Sequence, residues 1–391
     1  MPAVVARPLP IVVPLVGLLA LAATWGSKPH GVAVVLIGLV LAGAVLSAVH
    51  HAEVIAHRVG EPFGSLVLAV AVTVIEVGLI LMLMTSATGD DGATLARDTV
   101  FAAVMITVNG ILGISLLVAT RRGGVARFNA EGSGTALATV ATLATLTLVL
   151  PSFTTSTPGA EFSAPQLAFA ALSSLALYGS FVLVQTRRHR DYFLPVGPPA
   201  QEPVEDRAAA GPAYSEVVLE VPTRRPEDEI DDDHHADPPT DRAAYASLAL
   251  LLAALVSVVG LAKVESKPIE NAITSAGLPQ SAVGVVIALL VLAPETLAAV
   301  RAAGRGRMQV SLNLALGSAI ASIGLTIPAI ALATNWLDGP LLLGLGATQM
   351  TLLVISMLVA TLTIVPGRAT LQQAMVHLVL FGAFIVLAVN P

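Results

Sequence analysis

Apolar runs long enough to cross a lipid bilayer recur through most of this chain of 391 residues. Only 12% of its residues are charged and 55% are hydrophobic, whereas a soluble protein carries about 25% charged residues. A helix needs about 20 apolar residues to span the hydrocarbon of a bilayer. The runs are continuous and do not alternate as the strands of a membrane β-barrel do. We therefore expect an all-α, polytopic membrane protein.

Eleven such runs predict about 11 transmembrane helices. The chain has no cysteine, which excludes disulfides, thiol catalysis and thiolate metal sites. The predicted spans cover residues 9–25, 31–57, 64–86, 98–120, 134–151, 165–187, 243–263, 281–302, 309–334, 341–363 and 370–389.

The basic residues predict the orientation of these spans. Apart from the four Arg residues at 191–242, twelve Lys and Arg residues fall on one side of the membrane and four on the other. Basic residues concentrate in cytoplasmic loops. This bias predicts a multi-pass protein of the cell (inner) membrane, with its N-terminus and linker in the cytoplasm and its C-terminus outside. A missed span would mix the two groups, so the bias also supports the number of spans.

The first 30 residues have two interpretations. Arg7, the apolar stretch 11–21 and the "ALA" at 20–22 loosely resemble a signal peptide. Prolines near the start of the stretch suit the start of a helix equally well, and Trp25 suits a membrane interface. We favour an extra N-terminal transmembrane helix that is retained, within residues 1–30.

The linker at residues 188–242 is the one long polar stretch. From Asp191 to Arg242 it carries fourteen Asp or Glu residues against four Arg. Many prolines and few large apolar residues indicate disorder or a lone helix. A solvated cytoplasmic spacer and a low-affinity cation sensor built on Asp231–Asp233, His234 and His235 both remain open.

The linker divides the chain into two halves of five predicted spans, residues 31–187 and 243–391. Because five is odd, the second half enters the membrane with the opposite orientation, which is the inverted-repeat plan of many secondary transporters. This plan suits rocking of the two halves better than it suits a fixed pore.

Matching acids support the repeat. "AEVIAHRVG" (52–60) and "IENAITSAG" (269–277) each place a Glu seven residues before a Gly. From these residues, Glu53 and Glu270, it is 23 and 25 residues to a Glu in the middle of the next span, Glu76 and Glu295. A helix rich in small residues follows each of the two spans. We therefore expect Glu76 and Glu295 to face each other near the middle of the membrane.

Paired carboxylates at this depth predict exchange chemistry. A charged carboxylate at the bilayer centre costs about 2.5–3.5 kcal/mol on insertion scales. A proton or a bound cation can each remove that charge, and metal binding requires the deprotonated form. Carboxylate oxygens suit Ca²⁺, Na⁺ or another hard cation. The expected ligands are therefore inorganic cations and protons bound at Glu76 and Glu295. A buried acid that serves only helix packing is the alternative.

Several neighbours are candidates to support these acids. Pro294 removes a backbone donor beside Glu295 and leaves a carbonyl available as a ligand. Thr73, one turn before Glu76, can add a hydroxyl. Asn109, Asn313 and Ser318 are candidate polar ligands in the small-residue helices, where close helix packing is an equally good explanation.

A second set of residues lies near span ends. Glu53 and His57 are separated by one helical turn, and Glu270 is the counterpart of Glu53 in the second half. They are candidates for a proton relay or gate, because histidine titrates near neutral pH. Ordinary residues of the membrane interface are the alternative. We interpret His377, in the last span, as a helix–helix contact.

Two stretches resemble a known family. "HRVGEPFGSLVLAVAVTVIEVGLILMLM" (57–84) and "VLAPETLAAVRAAGRGRMQVSLNLALGSAIASIGLTIPA" (291–329) resemble the two α-repeats of the cation/Ca²⁺ exchanger superfamily, in particular its bacterial ChaA-type calcium/proton branch, which is associated with Na⁺, K⁺ and Ca²⁺ efflux. The resemblance implies a ten-helix core of two inverted five-helix repeats plus an extra N-terminal helix. It implies cation and proton binding at Glu76 and Glu295.

The chain departs from that family at three places. Many calcium/proton exchangers have a Gly-Asn pair three to four residues before each acid, where this chain has Val72-Thr73 and Val291-Leu292. Ala321 stands where the resemblance implies a glutamine. The preference among Ca²⁺, Na⁺ and K⁺ therefore stays open.

The sequence favours a secondary antiporter that exports cytosolic cations in exchange for protons by alternating access. A cation channel without proton coupling and an intramembrane metal-dependent hydrolase are the alternatives, although neither an H-E-x-x-H nor a G-x-S-x-G motif occurs. We expect the lipid bilayer as surroundings, and neither a cofactor nor a nucleic-acid partner. The oligomeric state does not follow from the sequence.

Overall fold

The computed structural model describes residues 9–27, 29–60, 63–86, 92–195, 239–279, 281–336 and 339–391. This part of the chain folds into eleven long helices and one pair of two-residue strands, β1 (Ala126–Arg127) and β2 (Arg368–Ala369). The helices are α1 (Leu9–Thr24), α2 (Val32–Val59), α3 (Phe63–Ser86), α4 (Leu95–Arg121), α5 (Ala130–Phe153), α6 (Ala164–Arg188), α7 (Asp241–Ser275), α8 (Ser281–Gly304), α9 (Met308–Ala333), α10 (Ala347–Ile364) and α11 (Leu371–Val389).

Ten of these described helices, α2 to α11, are long and apolar enough to cross a membrane. The remaining one, α1, has 16 residues, or about 24 Å at 1.5 Å per residue. The predicted all-α, polytopic fold is thus confirmed. Residues 196–238, the greater part of the predicted linker, lie outside the described residues, so the cation-sensor hypothesis and the division at 188–242 stay predictions.

Two predicted boundaries were wrong. Helix α7 extends to Ser275 instead of ending at 263. The charged residues after 263 are helical, and Pro268 lies inside the helix without ending it. Helix α10 begins at Ala347 instead of 341. The leucines at 341, 343 and 345 are buried in an extended segment, where every second side chain faces inward.

The helices alternate in direction between two faces of the bundle. We call the face where α6 ends and α7 begins the linker face, and the other the opposite face. At the linker face β1 pairs with β2 in antiparallel fashion. At the opposite face Glu161 and Leu342 form an antiparallel bridge. Each pairing joins a loop of one half to a loop of the other.

Corresponding helices of the two halves have corresponding neighbours. Helix α3 packs against α9, as α8 packs against α4. Helix α6 packs against α9, as α11 packs against α4, and α2 packs directly against α7. This reciprocity is the arrangement that two inverted five-helix repeats produce.

Glycine explains the spacing that the two halves share. Gly60 follows the end of α2 with φ of 74°, and Gly277 follows the end of α7 with φ of 69°. Side chains disfavour this positive-φ conformation, so glycine is the residue that ends a helix in this way. The Glu-to-Gly spacing therefore marks equivalent helix ends in the two halves.

The extra helix α1 is fixed to α2 and α7 by polar contacts. Pro14 has no N–H, so the carbonyl of Pro10 lacks its helical donor. That carbonyl instead accepts hydrogen bonds from Ser47 Oγ at 2.8 Å and His51 Nε2 at 2.9 Å. Ser257 Oγ of α7 donates to the Pro14 carbonyl at 3.3 Å. These contacts support the interpretation of α1 as a built-in helix.

The apolar core forms two clusters. The larger joins α4, α5, α6, α9, α10 and α11 with one side of α8. The smaller joins α2 and α7 with α3 and the other side of α8. Helices α3 and α8 therefore lie between the two clusters.

Candidate functional site

The two predicted acids lie in the middle of matching helices and face one cavity. Glu76 belongs to α3 and Glu295 to α8, and both helices are 24 residues long. Both side chains line the same cavity of about 220 Å³. Glu76 is 4% exposed and Glu295 is 9% exposed. The structure thus brings together the two carboxylates that the sequence singled out.

The cavity extends from the acids toward the linker face. Its walls come from the half of each of four helices that is nearer to that face, together with the helix centres. The lining residues are Leu68, Ala69, Val72, Thr73, Glu76, Tyr178, Phe181, Val182, Gln185, Leu292, Glu295, Val310, Asn313, Leu314, Gly317, Ser318, Ala321 and Ser322. In the described part of the chain, this cavity therefore lies on the linker-face side of the two acids.

The two acids have unequal surroundings. Ser322 Oγ of α9 donates a hydrogen bond of 2.6 Å to Glu76 Oε1. Thr326, one turn farther along the same helix, is fully buried. Among the described residues, Glu295 Oε2 has no hydrogen-bond partner. A buried carboxylate oxygen without a donor is costly, so Glu295 is the acid in greater need of a proton or a cation.

Pro294 changes the helical hydrogen bonding next to Glu295. Pro294 lies inside α8, and it cannot donate to the carbonyl of Leu290, four residues earlier. The helix continues through this point, so the effect is local. Neither Pro294 nor Leu290 lines the cavity, so a carbonyl ligand supplied through Pro294 stays a prediction.

The predicted supporting residues separate into two groups. Thr73, Asn313 and Ser318 line the cavity. Asn109 does not, which corrects the prediction that it is a ligand. Its Nδ2 donates to Ser356 Oγ at 2.8 Å.

Asn109 belongs to a buried network away from the cavity. His377 is fully buried, and its ring nitrogens lie 3.1 Å from Asn109 Oδ1 and 3.1 Å from Thr363 Oγ1. The interpretation of His377 as a helix–helix contact is thus correct. A π-helical turn at Ile106–Ile111 of α4 carries Asn109.

The candidate relay residues occupy both ends of the bundle. Glu53 and His57 are exposed near the linker face. Glu53 lies within electrostatic reach of Arg301 and Glu295. Glu270, near the opposite face, pairs with Lys267 at 3.0 Å. A relay or gating role for these residues stays a prediction.

Sequence reasoning missed two residues. Ser322 is not among the predicted ligands, although it donates a hydrogen bond to Glu76. Glu265 was placed beyond the end of a span, although it is 2% exposed within α7 and its Oε1 has no partner among the described residues. The signal for Glu265 was its position one turn after Leu261, on a continuing apolar face of α7.

A ten-span helical bundle with two buried carboxylates in a one-sided cavity defines a membrane transporter of small cations. The sequence pattern of the sodium/calcium exchanger protein family matches residues 30–187 and 246–390. The chain therefore belongs to the sodium/calcium exchanger family. The match begins after α1, in agreement with the prediction that this helix is an addition to the core.

Two relatives cover most of the chain. The y4hA protein of Sinorhizobium fredii, an ionic transporter by its name, is 43% identical over 351 residues, or 90% of this chain and 87% of the relative. The sodium-potassium/proton antiporter ChaA of Escherichia coli is 33% identical over 367 residues, or 92% of this chain and 91% of the relative. The predicted resemblance to the ChaA-type branch is confirmed.

Solved structures share the fold. Native YfkE has a TM-score of 0.66 at 14% identity and covers 98% of this chain and 99% of its own. The H⁺/Ca²⁺ exchanger CAX has a TM-score of 0.66 at 17% identity and covers 96% of this chain and 86% of its own.

Family membership decides between broad classes. The chain is a multi-pass ion transporter of the antiporter type and not an enzyme. The intramembrane hydrolase considered above is accordingly wrong. Within the described ranges, no group of three or more His, Asp or Glu side chains is placed to hold a metal ion.

Proposed function

We propose that this chain exports cytosolic Na⁺, K⁺ or Ca²⁺ in exchange for protons, with Glu76 and Glu295 as the shared binding sites. One observation carries the proposal: two buried carboxylates from matching helices line one cavity. The family and the relatives support cation/proton exchange in general. The residues and the cations are our proposal.

Burial makes the two occupants compete. Two ionised carboxylates in one cavity of about 220 Å³ repel each other and are costly at this depth. Protons neutralise them, and so does a bound cation, but a carboxylate that ligates a cation must first lose its proton. Each cation bound therefore tends to displace protons, which is the chemical basis of exchange.

Access to the acids is one-sided. The cavity leads to the linker face, which the positive-inside bias assigns to the cytoplasm. Toward the opposite face, buried side chains of α3, including Leu79 and Leu83, pack against α7 and α8. The chain thus has the inward-facing form of an alternating-access cycle. An outward-facing form would expose the same acids to external protons.

The ligand set favours monovalent cations. Ca²⁺ takes 6–8 oxygen ligands. Val72-Thr73 and Val291-Leu292 place no side-chain amide beside either acid. The lining residue Asn313 accepts a hydrogen bond at Oδ1 from Gln309 Nε2 at 2.9 Å and donates one from Nδ2 to the carbonyl of Phe193 at 2.7 Å. We therefore propose Na⁺ and K⁺ as the principal cargo, with Ca²⁺ as a weaker substrate.

Proton flux in proteoliposomes tests the proposal. An imposed pH gradient should collapse on addition of Na⁺ or K⁺, and less readily on addition of Ca²⁺. Glu76→Gln and Glu295→Gln should each abolish this response. Glu131→Gln, a change at an exposed glutamate outside the cavity, is the matched control and should retain it.

Two results would overturn the proposal. Exchange that persists in either cavity variant would show that the carboxylates are not the shared site. Cation currents without any proton movement would identify a channel.

A further inference from the structure

A second cavity lies at the opposite face and takes no part in the site described above. Its volume is about 270 Å³. It is lined by the first turns of α4, α8 and α10 and by the last turns of α11. Under the exchange of the two halves, α4, α8 and α11 correspond to α9, α3 and α6, which line the first cavity. The second cavity is therefore the counterpart, at the opposite face, of the access route to Glu76.

The second cavity contains a buried acid that forms an ion pair with an arginine side chain. Asp98 is 4% exposed and its Oδ1 lies 2.8 Å from Arg97 Nε. Gln349 Nε2 of α10 donates to the same oxygen at 3.3 Å. Arg97 Nη1 also donates to the carbonyl of Gly344 at 3.2 Å. The guanidinium is thus tied to the loop before α10 while it neutralises Asp98.

Aromatic packing separates this cavity from the central acids. Phe101, one turn below Asp98 on α4, meets Phe384 of α11 edge to face with ring centroids 5.7 Å apart. Both rings are at most 3% exposed. From Val285, which lines the cavity, to Glu295 is ten residues along α8, or about 15 Å. The cavity is therefore a vestibule that stops short of the exchange site.

We propose that Asp98 is a binding site for small inorganic cations at the opposite face, and that Arg97 is a tethered competitor for it. A cation that arrives in the vestibule displaces the guanidinium from the carboxylate. An ammonium or guanidinium and a metal cation compete for the same carboxylate oxygens. The inference rests on the proposed exchange and concerns the affinity at one face only.

Side-specific affinity tests the inference. In proteoliposomes of known orientation, the apparent KM for Na⁺ or K⁺ is measured with the cation at each face in turn. Arg97→Gln should lower the KM at the opposite face about 5-fold or more, because the competitor is gone. Asp98→Asn should raise it about 10-fold. Neither change should alter the KM at the linker face. Lys263→Gln is the matched control. Lys263 is an exposed basic residue of α7 that also lies toward the opposite face, and its replacement should change neither KM.

The double variant separates displacement from a general field effect. If Arg97 acts by occupying Asp98, Arg97→Gln has no further effect once Asp98→Asn is present. A lower KM for Arg97→Gln in that background would overturn the proposal, as would equal changes at both faces or no change in the single variants. Misfolding does not lower a KM. The Arg97→Gln variant therefore tests the proposal even if Asp98→Asn is unstable. Absence of cation-driven proton flux in the wild type would instead refute the proposed function.

Discussion

Replacing Ser322 by alanine removes the hydrogen bond that its hydroxyl donates to Glu76. The Ser322 hydroxyl donates to Glu76 Oε1 at 2.6 Å, and both residues are 4% exposed. A hydrogen bond to a charged group contributes about 1.5–3 kcal/mol. Because each 1.4 kcal/mol is a factor of ten, loss of this bond should weaken cation binding about 10-fold or more. The alanine leaves the carboxylate less well oriented and its ionised form less stable.

The assay is cation-dependent proton flux in proteoliposomes, with Ser356→Ala as the control. Ser356 is also a fully buried serine, but its hydroxyl bonds Asn109 in the network away from the cavity. We expect Ser322→Ala to raise the KM for Na⁺ or K⁺ about 10-fold with a maximal rate within about twofold of wild type. Ser356→Ala should leave the KM unchanged. An unchanged KM in Ser322→Ala, or the same increase in both variants, would refute the assigned role of the serine.

Four further changes test the cavity and the packing of the helices. An added Cβ at Gly317 meets no atom within 4 Å, so Gly317→Leu should fold normally but fill part of the cavity and slow flux about 10-fold or more. An added Cβ at Gly324 lies 2.8 Å from Tyr178, so Gly324→Ala should lower the unfolding temperature in detergent. If Gly317→Leu transported at the wild-type rate, the cavity would not be the route. His377→Leu leaves two buried polar groups unpaired and should cost about 2–5 kcal/mol of stability, measured by denaturation, with an unchanged KM in the folded fraction; a changed KM would contradict its structural role. His51→Leu removes the bond to Pro10 and should speed proteolysis of the N-terminal segment several-fold, whereas cleavage at the wild-type rate would mean that this bond does not hold α1.

The fold was largely predictable because a bilayer imposes a simple rule on sequence. Every backbone polar group in the bilayer must be hydrogen-bonded within the protein, so each span is a helix and appears as one continuous apolar run. The rule fails where apolar residues are buried for another reason. Residues 341–345 are rich in leucine because this extended loop is buried in the protein. Hydropathy does not distinguish such a buried loop from the start of α10.

The acids were predictable because a mid-membrane carboxylate has few explanations. Glu76 and Glu295 could be identified singly, and the repeat placed them together. The roles of Asn109 and Ser322 could not be predicted in the same way. Both lie in helices rich in small residues, which pack against neighbours on more than one face. Which face meets the cavity depends on the rotation of each helix, and the π-helical turn in α4 changes that rotation without a signal in the sequence.

Glu265 shows a related failure at a helix end. Lys263, Glu265 and Lys267 alternate with Val264 and Ser266, and the span predicted from hydropathy ends at 263. In the structure, Lys263 and Lys267 are exposed while Glu265 is buried. The three residues thus belong to a helix with one exposed face and one buried face. Which face is buried depends on the neighbouring helices, which the local sequence does not reveal.

The two short backbone pairings limit which parts of the molecule can shift during a cycle. β1 with β2 at one face, and Glu161 with Leu342 at the other, each fasten a loop of one half to a loop of its counterpart. Swinging one five-helix half as a block would break both fastenings at once. In the described part of the chain, α2 and α7 carry no such fastening, pack on each other and hold α1 between them. A shift of α1, α2 and α7 together would therefore break neither pairing, although these three helices come from both halves of the chain.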